Sequence, residues 1–303
     1  MDNFLLIGFC IGAGMLFRAA RLTPHDAHRS INNWVLYIAL PAASFRYIPG
    51  IRWSWEMLVP ALSPVVVWLG SWLFIELYCR YKNYGQRSRS TLELASGYSN
   101  TSFLGFPLVA AYFGAEHISI AIICDQVMFI LLSTAGIVSA LKGGGRGGVA
   151  TSGALVRRLV TFPPFIACIL ALGLSQWFDL SASEPFFDKL AATVAPLALF
   201  SVGLQLKFNG WKQEISQISM AVLYKLVLAP VLVLGIILLA GVRGPVARVS
   251  LFEAAMPTVI TSSIIAEQFR LNTRLINLII GVSILLGFLT TACWFQVMNF
   301  LGV

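Results

Sequence analysis

Apolar runs of about 20 residues recur along the whole chain, and they constrain the fold more than any other feature. A helix of about 20 residues crosses roughly 30 Å of hydrocarbon, and a backbone in lipid must satisfy its own hydrogen bonds. We predict ten such segments, at 3–20, 31–48, 56–79, 92–113, 117–141, 155–178, 186–206, 215–240, 246–268 and 274–301. The sequence therefore predicts an all-α membrane protein with ten transmembrane helices.

The composition agrees with this prediction, since 58% of the residues are hydrophobic, 11% are charged and the mean hydropathy is +0.81. The net charge of +8 is also typical of nucleic-acid-binding proteins, but the placement of the charges favours a membrane topology. Alternating loops place fifteen basic residues on one side: Arg18, Arg21, Arg29, Arg80, Lys82, Arg87, Arg89, Lys142, Arg146, Arg157, Arg158, Lys207, Lys212, Arg270 and Arg274. Five lie on the other side: Arg46, Arg52, Lys189, Arg243 and Arg248. Because basic loops stay in the cytoplasm, we expect both termini outside it.

Metal, disulfide and enzyme chemistry are not indicated. The cysteines are odd in number and scattered through apolar runs, and the histidines have no metal-ligand spacing. The segments carry no nucleophile and base at helical spacing and no HExxH, GxSxG or CxxC motif. We therefore expect no cofactor, no metal and no nucleic-acid partner, and we expect that the protein is not an enzyme.

A glycine-rich linker at 142–153 divides the chain into a first half, 1–141, and a second half, 154–303. "ALPAASF" (39–45) matches "VAPLALF" (194–200) at an offset of 155 residues. "YSNTSFLGFPLVAAYFG" (98–114) corresponds to "AAMPTVITSSIIAEQFR" (254–270) at an offset of 156. Five segments in each half require that the halves insert in opposite orientations, so the sequence predicts an inverted repeat.

The fourth and ninth segments carry helix breakers at mid-membrane depth. Asn100 and Pro257 lie near the middle of their segments, and we expect Pro107 and Pro257 to free the carbonyls of the preceding turns. Broken helices in a membrane occur where protein or a water-filled cavity surrounds them. If the breaks cross, helix N-termini and short polar side chains meet at one point that suits a small anion. The residues predicted to form this site are Asn100, Thr101, Ser102, Pro107, Met256, Pro257 and Thr258. Close helix packing by small residues is the alternative.

Ionisable groups inside membrane segments are costly and are therefore functional candidates. Asp125, Lys225 and Glu253 qualify, and Gln126 adjoins Asp125. Asp125 and Lys225 are predicted to neutralise each other, either as a pair opened by a proton or as a static ion pair. Glu253 either belongs to this coupling group or faces water at the outer surface.

Five stretches resemble the auxin efflux carrier family of secondary transporters: "SNTSFLGFPL", "AAMPTVITSSIIAEQF", "INNWVLYIALPAASF", "PLALFSVGLQL" and "YKLVLAP". The resemblance covers the whole chain and implies two inverted five-helix repeats, a scaffold domain and a transport domain. It implies a substrate site where the fourth and ninth helices cross, with Asn100 and Pro257 at the matching positions. Gln126 and Lys225 match the support region behind that crossing. Plant members differ at Ser99, where they carry proline.

The expected function is secondary transport of a small organic anion, such as a carboxylate, by elevator-type alternating access. Proton coupling and uniport both remain open, and a proton is favoured over sodium because Lys225 can occupy the place of a cation. The alternative is a membrane sensor that uses the same pocket without transport. The resemblance implies the inner (plasma) membrane of a bacterium, and a homodimer is left open.

Overall fold

A computed structural model of the protein describes residues 2–24, 26–49, 51, 54–144, 153, 157, 160–205 and 214–303. Within these residues we number twelve helices. The first six are α1 (Asp2–Ala19), α2 (27–47), α3 (Trp55–Lys82), α4 (Gln86–Ser96), α5 (Thr101–Tyr112) and α6 (Ala115–Gly143). The others are α7 (Pro163–Leu174), α8 (Ser181–Gln205), α9 (Ile215–Ala240), α10 (Pro245–Ala254), α11 (Thr261–Gln268) and α12 (Thr273–Leu301). Residues 145–152 of the predicted linker lie outside the described residues.

The helices agree with an integral membrane protein. Five of them, α3, α6, α8, α9 and α12, are long and apolar enough to cross a membrane, and α1, α5 and α7 are shorter apolar helices. The fourth predicted segment is divided into α4 and α5, and the ninth is divided into α10 and α11. Ten crossings and the inverted repeat stay predictions.

Proline explains three of the π-helical turns. These turns are Val35–Ala39, Thr101–Gly105 and Tyr224–Leu228, and each is followed two residues later by a proline, namely Pro41, Pro107 and Pro230. In each turn the N–H of the residue before the proline donates to a carbonyl five residues back. Because proline lacks an N–H and its ring collides with the carbonyl four residues earlier, the wider turn relieves that collision.

The π turn corrects one expectation about the fourth segment. Pro107 lies inside α5, where it follows the widened turn, and the chain is interrupted upstream, at residues 97–100. The helix therefore tolerates Pro107 without ending there.

Four helices, α1, α2, α7 and α8, pack mainly against one another. The closest approach joins α1 to α8, because a Cβ atom placed on Gly14 would lie 2.9 Å from the Cα of Gly203 and would also meet the carbonyl of Phe200. Side-chain hydrogen bonds join α2 to α8 as well: Trp34 Nε1 donates to Thr193 Oγ1 at 3.0 Å. We call these four helices the first packing group.

The remaining helices form a second packing group around α3, which contacts α4, α6, α9 and α10. A network of charged side chains connects three helices of this group. Glu76, which is 8% exposed, pairs with Arg80 at 2.5 Å and also with Arg89. Arg89 pairs in turn with Glu93 at 3.0 Å, and Glu93 accepts a hydrogen bond from Ser139. The network therefore joins α3, α4 and α6.

Candidate functional site

The two chain interruptions, at residues 97–100 and 255–260, are hydrogen-bonded to each other. The N–H of Asn100 donates to the carbonyl of Pro257 at 2.8 Å, and the N–H of Val259 donates to the carbonyl of Tyr98 at 3.1 Å. Ser99 and Thr258 thereby form an isolated antiparallel bridge. Each interruption satisfies part of the other's exposed backbone, which is the condition for irregular chain inside a membrane.

Hydroxyl groups from the second interruption and from the start of α11 bond the last carbonyls of α4. Thr258 Oγ1 donates to the carbonyl of Ala95 at 2.6 Å, and Ser262 Oγ donates to the carbonyl of Leu94 at 2.9 Å. Carbonyls at a helix C-terminus lack partners within the helix, so these bonds replace the missing N–H donors. The Thr258 hydroxyl is therefore engaged with the backbone.

Asn100 occupies the N-cap position of α5 and is 1% exposed. Its side-chain Oδ1 and Nδ2 have no hydrogen-bond partner among the described residues, although a buried amide ordinarily has partners. It borders a cavity of about 620 Å³. The other polar residues that line the cavity are His28, Arg29, Asn32, Asn33, Gln205, Thr261, Ser263, Glu267 and Gln268. The amide therefore lies where a bound molecule could supply its hydrogen bonds.

An adjoining cavity of about 640 Å³ shares His28, Arg29 and Glu267 with the first. It is also lined by Arg18 and Arg21, so the approach to Asn100 carries several basic side chains. From the sequence these arginines indicated topology alone, and their place beside the site was missed. Their position around the α1–α2 connection was the available signal.

Asp125 of α6 lies behind the start of α5. Thr101 Oγ1 donates to Asp125 Oδ1 at 2.5 Å, and Ser102 also forms a side-chain hydrogen bond with this carboxylate. The predicted residues Thr101, Ser102 and Asp125 are therefore brought together. The Thr101 hydroxyl is engaged with the carboxylate and does not border the cavity at Asn100.

The predicted pairing of Asp125 with Lys225 is wrong. Lys225 is fully buried, and its Nζ donates to the carbonyl of Ala254 at 2.9 Å. This carbonyl belongs to the last turn of α10, which Pro257 follows, so the lysine occupies a place that a backbone N–H would otherwise fill. The negative end of the helix dipole favours a cation there. Asp125 instead takes its bonds from α5.

Glu253 is 1% exposed, which excludes the alternative that it faces outer water. Both of its carboxylate oxygens are without a hydrogen-bond partner in the part of the chain that the structure describes. A Cβ atom on Gly105 would lie 2.5 Å from its Oε2, so the carboxylate is packed against the π turn of α5. The charges of Asp125 and Lys225 both act on it. Glu253 therefore interacts with the charges of both Asp125 and Lys225, the two groups that were expected to pair with each other.

Among the residues predicted to bind substrate, Asn100 is the one that lines the cavity in the described part of the chain. Met256 and Thr258 are fully buried, and the Pro257 ring packs near Gly287. Gln126 is also buried, and its Oε1 has no partner. These residues lie around the interruptions, and their roles stay predictions.

A third cavity, of about 780 Å³, lies at the opposite end of α2. Its lining includes Arg46, which pairs with Glu184 at 2.5 Å and with Asp188 at 3.0 Å. None of the predicted site residues in the described part of the chain lines it.

Comparison with known proteins places the chain in a family. The family described as "Membrane transport protein" matches residues 4–295. An uncharacterised transporter of Methanocaldococcus jannaschii is 26% identical over 305 residues, covering 97% of each chain. A second, from Methanothermobacter thermautotrophicus, is 23% identical and covers 93% of this chain and 92% of its own. A Rhizobium meliloti protein named "Putative malonate transporter" is 25% identical over 90% of each chain. The resemblance to auxin efflux carriers is thus confirmed, and the chain is an integral membrane protein that belongs to the membrane transport protein family.

Proposed function

We propose that the protein is a secondary transporter of a small organic anion, such as a carboxylate, and that the anion binds at Asn100. The observation that carries the proposal is the Asn100 amide, which is buried, has no hydrogen-bond partner and borders a cavity of about 620 Å³. A buried amide without partners is costly, and a ligand oxygen would satisfy its Nδ2.

The surroundings of the amide favour a negative charge. Asn100 stands at the N-terminus of α5, where the backbone N–H groups carry partial positive charge. The side chains of Arg18, Arg21 and Arg29 at the adjoining cavity attract anions from solution. The malonate named for one relative is itself a small carboxylate, which agrees with this substrate class.

The packing supports an elevator-type mechanism. The cavity at Asn100 is lined by α2 and α8 of the first packing group and by α5 and α11 of the second. We assign the first group as scaffold and the second as the moving transport domain. In this proposal ten transmembrane helices form two inverted five-helix repeats, and the paired interruptions are the crossing of the fourth and ninth spans. Such crossings are typical of transporters built from inverted repeats.

The orientation follows from charge. The cavity at Asn100 adjoins the cavity that is lined by basic residues of the α1–α2 connection, and basic loops are retained in the cytoplasm. This conformation is therefore inward-facing in the proposal, and both termini lie outside the cytoplasm. Alternating access then requires a second conformation in which Asn100 reaches the cavity beside Arg46.

The test is flux in proteoliposomes that contain the purified protein. Uptake of radiolabelled malonate, malate, lactate and indole-3-acetate is compared between wild type, N100A and empty vesicles. Flux of at least one acid that is lost in N100A supports the proposal. Binding of an acid in a thermal-shift screen without flux would instead indicate a sensor. If no acid in the panel is bound or transported, the proposed substrate class is contradicted.

A further inference from the structure

Glu253 differs from Asp125 and Lys225, the two buried charged groups that act on it, because its carboxylate lacks hydrogen-bond partners in the described part of the chain. Asp125 receives hydrogen bonds from Thr101 and Ser102, and the Lys225 ammonium donates to the Ala254 carbonyl. Within the described residues, neither oxygen of Glu253 has a hydrogen-bond partner. An ionised carboxylate in this state loses its hydration without replacement, which disfavours the charged form strongly. A bound proton removes that cost.

The cluster also lacks one positive charge. The charges of Asp125 and Lys225 both act on Glu253, so the two carboxylates and one ammonium sum to minus one when all three are charged. The neighbouring helices do not correct this imbalance. From α6 the Cys124 thiol also faces Glu253, while α3, α5 and α12 add no charge that acts on it within the described residues. One additional proton makes the cluster neutral.

We propose that Glu253 is a proton-binding site and that the cluster of Asp125, Glu253 and Lys225 takes up one proton in each transport cycle. The coupling part of this inference rests on the proposed transport function, whereas proton binding itself does not. A neutral cluster crosses a low-dielectric boundary at lower cost than a charged one, so protonation favours movement of the helices that carry it. The proton and the anion then move in the same direction.

A short path of contacts connects the proton to the substrate site. The Glu253 carboxylate packs against Gly105, and the Gly105 N–H donates to the carbonyl of Asn100 at 3.0 Å. Asp125, another member of the cluster, accepts a hydrogen bond from the hydroxyl of Thr101, the residue after Asn100. A change in charge at Glu253 therefore acts on the turn that positions the Asn100 amide.

The first experiment measures proton binding without transport. The thermal unfolding midpoint in detergent is followed between about pH 5 and 9 for wild type, E253Q and the matched control E56Q, whose residue lines none of the three cavities. Wild type and E56Q should lose stability as the pH rises, because the unfolded chain releases a proton that the folded protein keeps on Glu253. E253Q imitates the protonated carboxyl and should have a flatter profile. Equal slopes in wild type and E253Q would overturn the proposal.

The second experiment measures coupling in proteoliposomes with the membrane potential held at zero. For one proton moved with one monoanion, a gradient of one pH unit should support about tenfold accumulation, since both correspond to about 1.4 kcal/mol. E253Q should exchange the anion without pH-driven accumulation, and E56Q should behave as wild type. Accumulation by E253Q equal to that of wild type would refute the assignment.

A second variant, D125N, keeps the proposal testable if E253Q does not fold. In D125N the cluster is neutral without an added proton, so this variant should also lose pH-driven accumulation, and retention of accumulation there would count against the proposal. If reconstituted wild type moves no anion, the proposed function fails, while the pH profile of unfolding still decides whether Glu253 binds a proton.

Discussion

The backbone N–H of Asn100 donates to the carbonyl oxygen of Pro257 at 2.8 Å, so the two interrupted helices are joined through their main chains. This bond leaves the Asn100 side chain unused, and the amide borders a cavity. The same junction exposes the last carbonyls of α10, which Lys225 reaches from α9. One backbone contact thus organises both the candidate anion site and the buried charges behind it.

Replacing Asn100 by alanine should weaken substrate binding without unfolding the protein. A hydrogen bond to a charged ligand contributes about 1.5–3 kcal/mol, which corresponds to a loss of roughly tenfold or more in affinity. The folded protein loses no side-chain hydrogen bond, because the amide has none. Ligand-induced thermal shifts and uptake measure the effect, with N299A, whose side chain bonds Arg248 away from the cavity, as the control. Unchanged affinity in N100A would contradict the site.

Gly14 should be required for the contact between α1 and α8. In G14A the new Cβ would lie 2.9 Å from the Gly203 Cα, so the helices must separate, at a cost of about 1–3 kcal/mol. G12A is the matched control, because no atom lies within 4 Å of a Cβ placed on Gly12. Thermal unfolding of the two variants compares them directly, and equal midpoints would refute the close approach.

The contact between Gly105 and Glu253 should appear as an interaction energy. The Cβ of G105A would displace the Glu253 carboxylate and lower stability, whereas in G105A/E253A that obstacle is absent. We expect the double variant to be less destabilised than the sum of the single variants by about 0.5–3 kcal/mol, as for residues in contact. Thermal unfolding of all four proteins completes the cycle, and strict additivity would argue against this packing.

Lys225→Met should destabilise the protein by about 3–5 kcal/mol, because it leaves the buried Glu253 carboxylate without the cation that acts on it and the Ala254 carbonyl without its donor. Adding E253Q should recover part of the loss, since the negative charge of Glu253 is then removed. Denaturation in detergent measures both variants. A K225M protein as stable as wild type would show that the ammonium is not needed there.

Arg29 should assist capture of the anion. It lines both cavities beside Asn100, and its charge raises the local anion concentration. R29Q should raise the apparent KM by roughly threefold at low ionic strength, and the difference should shrink in high salt because charges are screened. R243Q, whose residue is exposed and lines none of the three cavities, serves as the control. A KM effect that is independent of salt would point to direct contact instead of attraction at a distance.

Much of the helical layout was predictable from the sequence. The apolar runs predicted α3, α6, α9 and α12 within a few residues of their observed bounds. In lipid a chain segment must satisfy its own backbone hydrogen bonds, and a helix does so. The interruption before Pro257 was also predictable from the proline itself. The interruption in the fourth segment was not placed correctly, since a π turn accommodates Pro107 and the chain opens near Gly97.

The sequence by itself determined that the chain is a helical membrane protein with two polar, proline-containing stretches and three buried ionisable groups, because these follow from local composition and from the cost of polar groups in lipid. Only the tertiary structure decided which groups are partners. Asp125 bonds Thr101, Lys225 bonds Ala254, and Glu253 remains without a partner. These choices depend on how separate helices approach one another, and spacing along the chain carries no information on distances between helices that are remote in sequence.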